Sequence, residues 1–198
     1  LCQLHEMMGD LGFGWDKGAA WRGGVVDAID PGMQGRIAEW RKSGLNIMMS
    51  EKSDAKPVSF LEDCAVELKD LAEYTDKLTS IFDRNGVKGT WYAHASVGCL
   101  HVRPVLNMKI QDDVDKMRNI ANETSSLVKK FKGSYSGEHG DGIARSEFNE
   151  VMFGKKMTNI FKSIKNSFDP LNIFNPGKIV DAPKLDERDY FRYAPSYN

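Results

Sequence analysis

Of the four histidines in this 198-residue chain, three, His94, His101 and His139, fall in one stretch. His94 ends a predicted strand, and His101 begins the next after the short loop Ala95-Ser96-Val97-Gly98-Cys99. Two histidines flanking so tight a strand–loop–strand can project from the same end of a sheet. A metal ion requires such convergence, because its nitrogen and oxygen ligands must all lie within about 2.0–2.2 Å of one point. The segment Ser136-Gly137-Glu138-His139-Gly140-Asp141-Gly142 offers two further ligands or proton acceptors, Glu138 and His139. Glycines on either side let the backbone approach a ligand and adopt conformations closed to other residues, and a glycine-dense loop between two helices is a common seat of function. The alternative, histidines serving only as hydrogen-bonded structural groups, stays open at this point. Arg103, two residues beyond His101 and so on the same strand face, suits an anionic substrate through its forked guanidinium. A plain surface ion pair would use it equally well.

These residues need elements to carry them. Residues 1–35 read as an irregular, glycine-rich lead-in, with Gly9, Gly12, Gly14, Gly18, Gly23, Gly24 and Gly32 interrupting any helical period and Asp30-Pro31-Gly32 marking a turn. A short helix is predicted over Gly35–Ser43 and a strand over Leu45–Met49. The charged run Ser50–Pro57 reads as a solvated hairpin loop, and Val58–Leu61 restarts a strand. Leu68, Leu71, Leu78, Ile81 and Phe82 recur at helical spacing up to the stop at Asn85-Gly86. Thr90–Ala93 and Leu100–Leu106 are the next strands. Val114, Met117, Ala121, Thr124, Val128 and Phe131 predict an amphipathic helix over Asp112–Lys132. Phe153, Met157, Ile160, Ile164 and Phe168 predict another over Ser146–Ser167, its apolar stripe facing the core. The order suggests an α+β fold with an antiparallel sheet and helices over one face. By this division residues 36–167 form the main domain, 168–180 a strap fixed by Pro170, Pro176 and Gly177, and 181–198 a linker or surface-hugging tail.

Composition excludes several classes. Apolar residues make up 41% and charged residues 28% of the chain, which is globular rather than disordered or fibrous. With 27 basic against 28 acidic residues, no broad basic surface for nucleic acid is expected. Uncharged stretches fall short of the about 20 apolar residues of a membrane-spanning helix. Cys2, Cys64 and Cys99 are too widely spaced for a zinc ribbon, an iron–sulfur cluster or a disulfide framework. A reducing, cytoplasmic setting is the expectation, since no basic and then apolar signal-peptide pattern follows Leu1.

Three segments resemble a known family. Tyr92-Ala93-His94 through His101-Val102-Arg103, then Gly137-Glu138-His139-Gly140-Asp141-Gly142, then Phe168-Asp169-Pro170 to Asn175-Pro176-Gly177-Lys178 are similar to the C-terminal part of the FAD-linked oxidases. These belong to the vanillyl-alcohol oxidase superfamily, in the glycolate oxidase, D-lactate and D-2-hydroxyglutarate dehydrogenase branch. Asn46–Ser50 and Val58–Val66 look like its large bacterial members with a fused iron–sulfur module. The resemblance implies a ferredoxin-like cap over the flavin, with FAD held mainly by another domain. Position by position, it implies that His94, His101 and Glu138 ligate a divalent metal, usually zinc, and that His139 is the general base. Arg41 and Arg103 would contact substrate, and Asn175 and Lys178 would lie on the strap towards the flavin domain. The expected partners are a small 2-hydroxy acid, the flavin-binding domain and a second copy of the chain, with an iron–sulfur cluster elsewhere in the longer protein.

Departures from the family pattern bear on the substrate. Val97 and Cys99 stand where much of the family has aspartate and asparagine, and Arg103 stands where the hydroxyglutarate branch has asparagine. That branch also has a lysine near Leu61. The leading expectation is oxidation of a D-2-hydroxy acid, 2-hydroxyglutarate ahead of lactate. A flavin-independent metal hydrolase on the same His–His–Glu set and a non-catalytic interaction domain are the competing readings.

Overall fold

A computed structural model describes residues 2–14 and 24–193. Gly18 and Gly23 of the lead-in and the tail after Tyr193 lie outside the described residues. The chain divides into two compact units, Leu1–Ile47 and Met48–Asn198.

The first unit is more helical than its glycines suggest. Cys2–Asp10 forms α1, and α2 covers Pro31–Met49. The predicted turn at Asp30-Pro31 is in fact the start of α2. The Asp30 carboxylate accepts the Met33 amide at 2.6 Å, and Pro31 loses nothing at a first helical position, where its missing N–H has no helical partner. The predicted strand Leu45–Met49 is the last part of α2. A short apolar run has no period to separate strand from helix, and Leu and Met are good helix formers. With that strand gone, residues 50–55 are a connecting loop and not a hairpin.

In the second unit, β1 (Lys56–Pro57), β2 (Leu61–Ala65), β3 (Gly89–His94) and β4 (Cys99–Leu106) form one sheet. All three other strands pair antiparallel with β4. The strand expected at Val58–Leu61 begins instead at Leu61. Helix α3 (Leu71–Arg84) joins β2 to β3, and α4 (Gln111–Lys130) follows β4. A single bridge between Ala65 and Ser134 adds what a ferredoxin-like last strand would supply on the far side of β2. The antiparallel sheet with packed helices is the predicted α+β architecture.

Tyr74, Leu78 and Phe82 of α3 and Val114, Met117 and Ile120 of α4 form the core with Leu100, Val102 and Leu106 of β4. Leu78 and Ile120 are fully enclosed, and burying one such side chain contributes about 1.5–3 kcal/mol. Because strand side chains alternate, His101 and Arg103 point to the opposite face. The register sets Tyr92 opposite His101, Thr90 opposite Arg103 and His94 opposite Cys99, so β3 brings its own polar residues to that face.

The predicted helix Ser146–Ser167 is three pieces: α5 (Gly142–Ser146), α6 (Asn149–Phe153) and α7 (Lys155–Phe168). Gly154, at φ 82°, separates the last two in a conformation that favours glycine. Its apolar stripe has the predicted spacing but not the predicted place: Phe153, Met157, Ile160 and Ile164 are exposed, and Phe168 is 85% exposed. Leu171, Ile173 and Phe174 of the strap are exposed too. Up to Tyr193 the tail is held by side chains, Asp186 pairing with Arg118 and Arg188 donating to the Met108 carbonyl. No helix among the described residues is long and apolar enough to cross a membrane.

Candidate metal centre

The turn from β3 into β4 places the first two histidines. Gly98, at φ 70°, closes the 3-10 turn Ala95–Val97, and a Cβ there would lie 2.0 Å from the Val66 carbonyl oxygen. Only glycine lets the loop pass that close. His94, half-buried, and His101, 8% exposed, then meet with ring centroids 4.9 Å apart and planes nearly perpendicular. Tyr92 stacks on His101 at 5.7 Å.

The glycine-rich loop after α4 completes the cluster. One carboxylate oxygen, Oε1 of Glu138, lies 3.0 Å from Nε2 of His101, 3.5 Å from Nε2 of His94 and 3.3 Å from Nε2 of His139. The His139 ring is nearly parallel to that of His101, at 5.1 Å. Thus His94, His101, Glu138 and His139, distant in sequence, converge on one point.

Two features suit this point to a cation. Nδ1 of His101 contacts the main-chain carbonyl of Glu62. A carbonyl can only accept, so Nδ1 carries the proton, and an uncharged His101 turns its Nε2 lone pair towards Glu138. Two acceptors 3.0 Å apart repel unless a proton or a metal ion joins them. Metal-bound histidines characteristically donate their other N–H to such a carbonyl. Distances agree as well: two ligands on a tetrahedral zinc, each about 2.1 Å from it, stand about 3.4 Å apart.

Two other groupings of ligand atoms overlap this one, Glu62–His101–His139 and Asp63–Cys99–Glu138. Their members are committed elsewhere. The Glu62 carboxylate pairs with Arg103, so the anion-binding residue expected at Arg103 already has a partner within the chain. Burial first, then the Glu138 and Asp63 charges, push the Cys99 thiol up to about 11, and its Sγ donates to Asp63 Oδ1 at 3.9 Å. Asp63 accepts hydrogen bonds from Ser136 and from the amides of Glu138 and His139. Burial works against its charge, but these bonds outweigh it and hold its carboxyl below the ordinary range. His94, His101 and Glu138 form the third grouping, their ligand atoms all within 4.8 Å of one another.

Asn175 and Lys178 are exposed on the strap after α7. No hydrogen bond or ion pair joins either to the histidines among the described residues. Arg41 is exposed on α2, in the first unit. The sequence reading missed Glu62 and Asp63, although two acids inside the apolar run Phe60–Val66 were a visible signal.

The model of the FAD linked oxidases, C-terminal domain, matches residues 18–179. The chain belongs to this family. Among similar FAD-linked oxidase relatives, a D-2-hydroxyglutarate dehydrogenase of Pantoea ananatis is 36% identical over 163 residues, covering 80% of this chain and 16% of the relative. One of Escherichia coli K12 is 34% identical over 151 residues, covering 76% and 15%. The glycolate oxidase subunit GlcD of Bacillus subtilis is 27% identical over 150 residues, covering 75% of the chain and 31% of the relative. The chain thus spans about a sixth of the length of these two D-2-hydroxyglutarate dehydrogenases.

Proposed function

We infer that the chain is the substrate-binding cap of a flavin-dependent dehydrogenase that oxidises a D-2-hydroxy acid, with 2-hydroxyglutarate ahead of lactate. The observation that carries this reading is the single Glu138 oxygen ringed by three imidazoles at 3.0–3.5 Å. Family membership and the activity for which the relatives are named support the substrate class.

In this reading His94, His101 and Glu138 hold a divalent ion, the two imidazole nitrogens favouring zinc over harder cations. When bound, such an ion supplies a Lewis acid for the carboxylate and 2-hydroxyl of the substrate and lowers the hydroxyl pKa. A flavin held by the neighbouring domain would supply the acceptor for the hydride of C2. His139 takes the hydroxyl proton at its ring nitrogen, a role that histidine fills near neutral pH. The O–H and C2–H bonds break, the C=O bond forms, and the products are the 2-oxo acid, reduced flavin and a protonated His139. Glu62 holds His101 in the tautomer that frees Nε2. Arg103 serves the distal part of the substrate after exchanging Glu62 for it.

The flavin-binding domain is the partner this reading requires. The exposed stripe of α7 and the exposed apolar strap residues support a surface that another domain covers, with Asn175 and Lys178 along its edge. To test the reading, the polypeptide carrying this chain together with its flavin domain is mixed anaerobically with D- and L-2-hydroxyglutarate. Flavin absorbance is expected to bleach with the D enantiomer and to persist with the L enantiomer. Bleaching by neither D-2-hydroxyglutarate nor D-lactate contradicts the assignment.

A further inference from the structure

The arrangement of β2 against the loop that bears Glu138 and His139 singles out one residue outside the His94–His101–Glu138 grouping. Leu61 pairs with Val102 and Cys64 with Leu100, so β2 carries one residue more than β4 between these pairs, a β-bulge. Bulges re-aim side chains and are frequent beside active sites. Here the bulge holds Glu62 and Asp63 side by side. The Glu62 carbonyl receives Nδ1 of His101. Asp63, 0% exposed, faces the loop that bears Glu138 and His139.

Four successive loop residues donate to Asp63. Its carboxylate accepts the Ser136 hydroxyl at 2.7 Å, the Glu138 amide at 2.9 Å and the His139 amide at 2.8 Å. Its main-chain carbonyl accepts the Gly137 amide at 2.7 Å. This loop has no helix or ladder of its own to occupy those amides, and buried amides must find acceptors. Arg145, also buried, places Nη2 3.9 Å from Asp63 and donates to the Gly140 carbonyl, balancing the charge and tying down the next residue of the loop.

We propose that Asp63 is the positioning residue of the site: its carboxylate fixes the backbone of residues 136–139 and so aims Glu138 and His139 at the two histidines of the sheet. The consequence for metal binding rests on the ligand assignment made above; the hold on the loop does not. Asp63→Asn keeps the shape but exchanges one acceptor oxygen for an NH2 group, which then confronts an N–H or O–H donor. The carboxylate can satisfy all three donors, whereas the amide cannot.

Two measurements on the 198-residue chain test this. Amide hydrogen exchange in the metal-free protein is expected to be faster at Glu138 and His139 in Asp63→Asn, while the α4 amides keep wild-type protection. Zinc affinity, read by competition with a chromogenic chelator, is expected to fall about 10–100-fold, the usual effect of removing a group that orients a ligand. A folded variant with wild-type exchange at 138 and 139, or with wild-type zinc affinity despite faster exchange there, overturns the proposal. If Asp63→Asn does not fold, Ser136→Ala, which deletes one donor and leaves the carboxylate in place, is read instead. Faster exchange at 138 and 139 supports the proposal and unchanged exchange overturns it. A wild-type chain that binds no zinc refutes the ligand assignment, and the exchange comparison then still decides whether Asp63 holds the loop.

Discussion

Replacing His139 by alanine in the flavin-containing protein is expected to slow flavin reduction by a D-2-hydroxy acid about 10²–10⁴-fold, the usual contribution of a general base, with flavin still bound. The His139 side chain is exposed, its ring against His101 and its Nε2 3.3 Å from Glu138, so its loss costs little in folding. Its backbone amide, which anchors the loop to Asp63, survives the substitution. The deficit should therefore fall on the proton-transfer step and leave metal content intact. Stopped-flow bleaching of the flavin measures it. An unchanged reduction rate at saturating substrate removes His139 from the mechanism.

The second large effect is expected on metal binding. His94→Ala and His101→Ala should each weaken zinc binding by more than the about 10–100-fold that losing an orienting partner costs. His101→Ala should be the more damaging of the two. That ring is buried and is set by the Glu62 carbonyl, which would be left without its donor, whereas His94 is half-buried and holds its place mainly through the hairpin. Metal analysis after gel filtration, with circular dichroism to show that each variant is folded, checks this. Retained zinc in either folded variant excludes that histidine as a ligand.

How much of this was legible in the sequence depended on the range of the interactions involved. Helices α3 and α4 declare themselves because a packed face repeats every three or four residues, and the core they form is set by those same residues. The convergence of His94 with His101 was foreseeable because a short hairpin leaves little freedom. Glu138 and His139 were flagged by their glycines, but what aims them is Asp63, 75 residues away in the chain from Glu138, and no local pattern reports such a bond. The strand assigned to Leu45–Met49 failed because five apolar residues carry no period, and the cap at Asp30 passed for a turn because the same residue types serve both. The α7 stripe shows the reverse limit. Spacing reveals that a helix has an apolar face, but not whether the chain itself supplies the surface that covers it, and here Phe168 stands open.

The most direct measurement is zinc-edge X-ray absorption on the purified chain after titration with zinc and removal of excess metal. The account predicts one zinc per chain in a shell of imidazole nitrogen and carboxylate oxygen at about 2.0–2.2 Å, lost in the His94→Ala/His101→Ala double variant. A chain that retains no stoichiometric zinc, or a sulfur-containing shell drawn from Cys99, would contradict it.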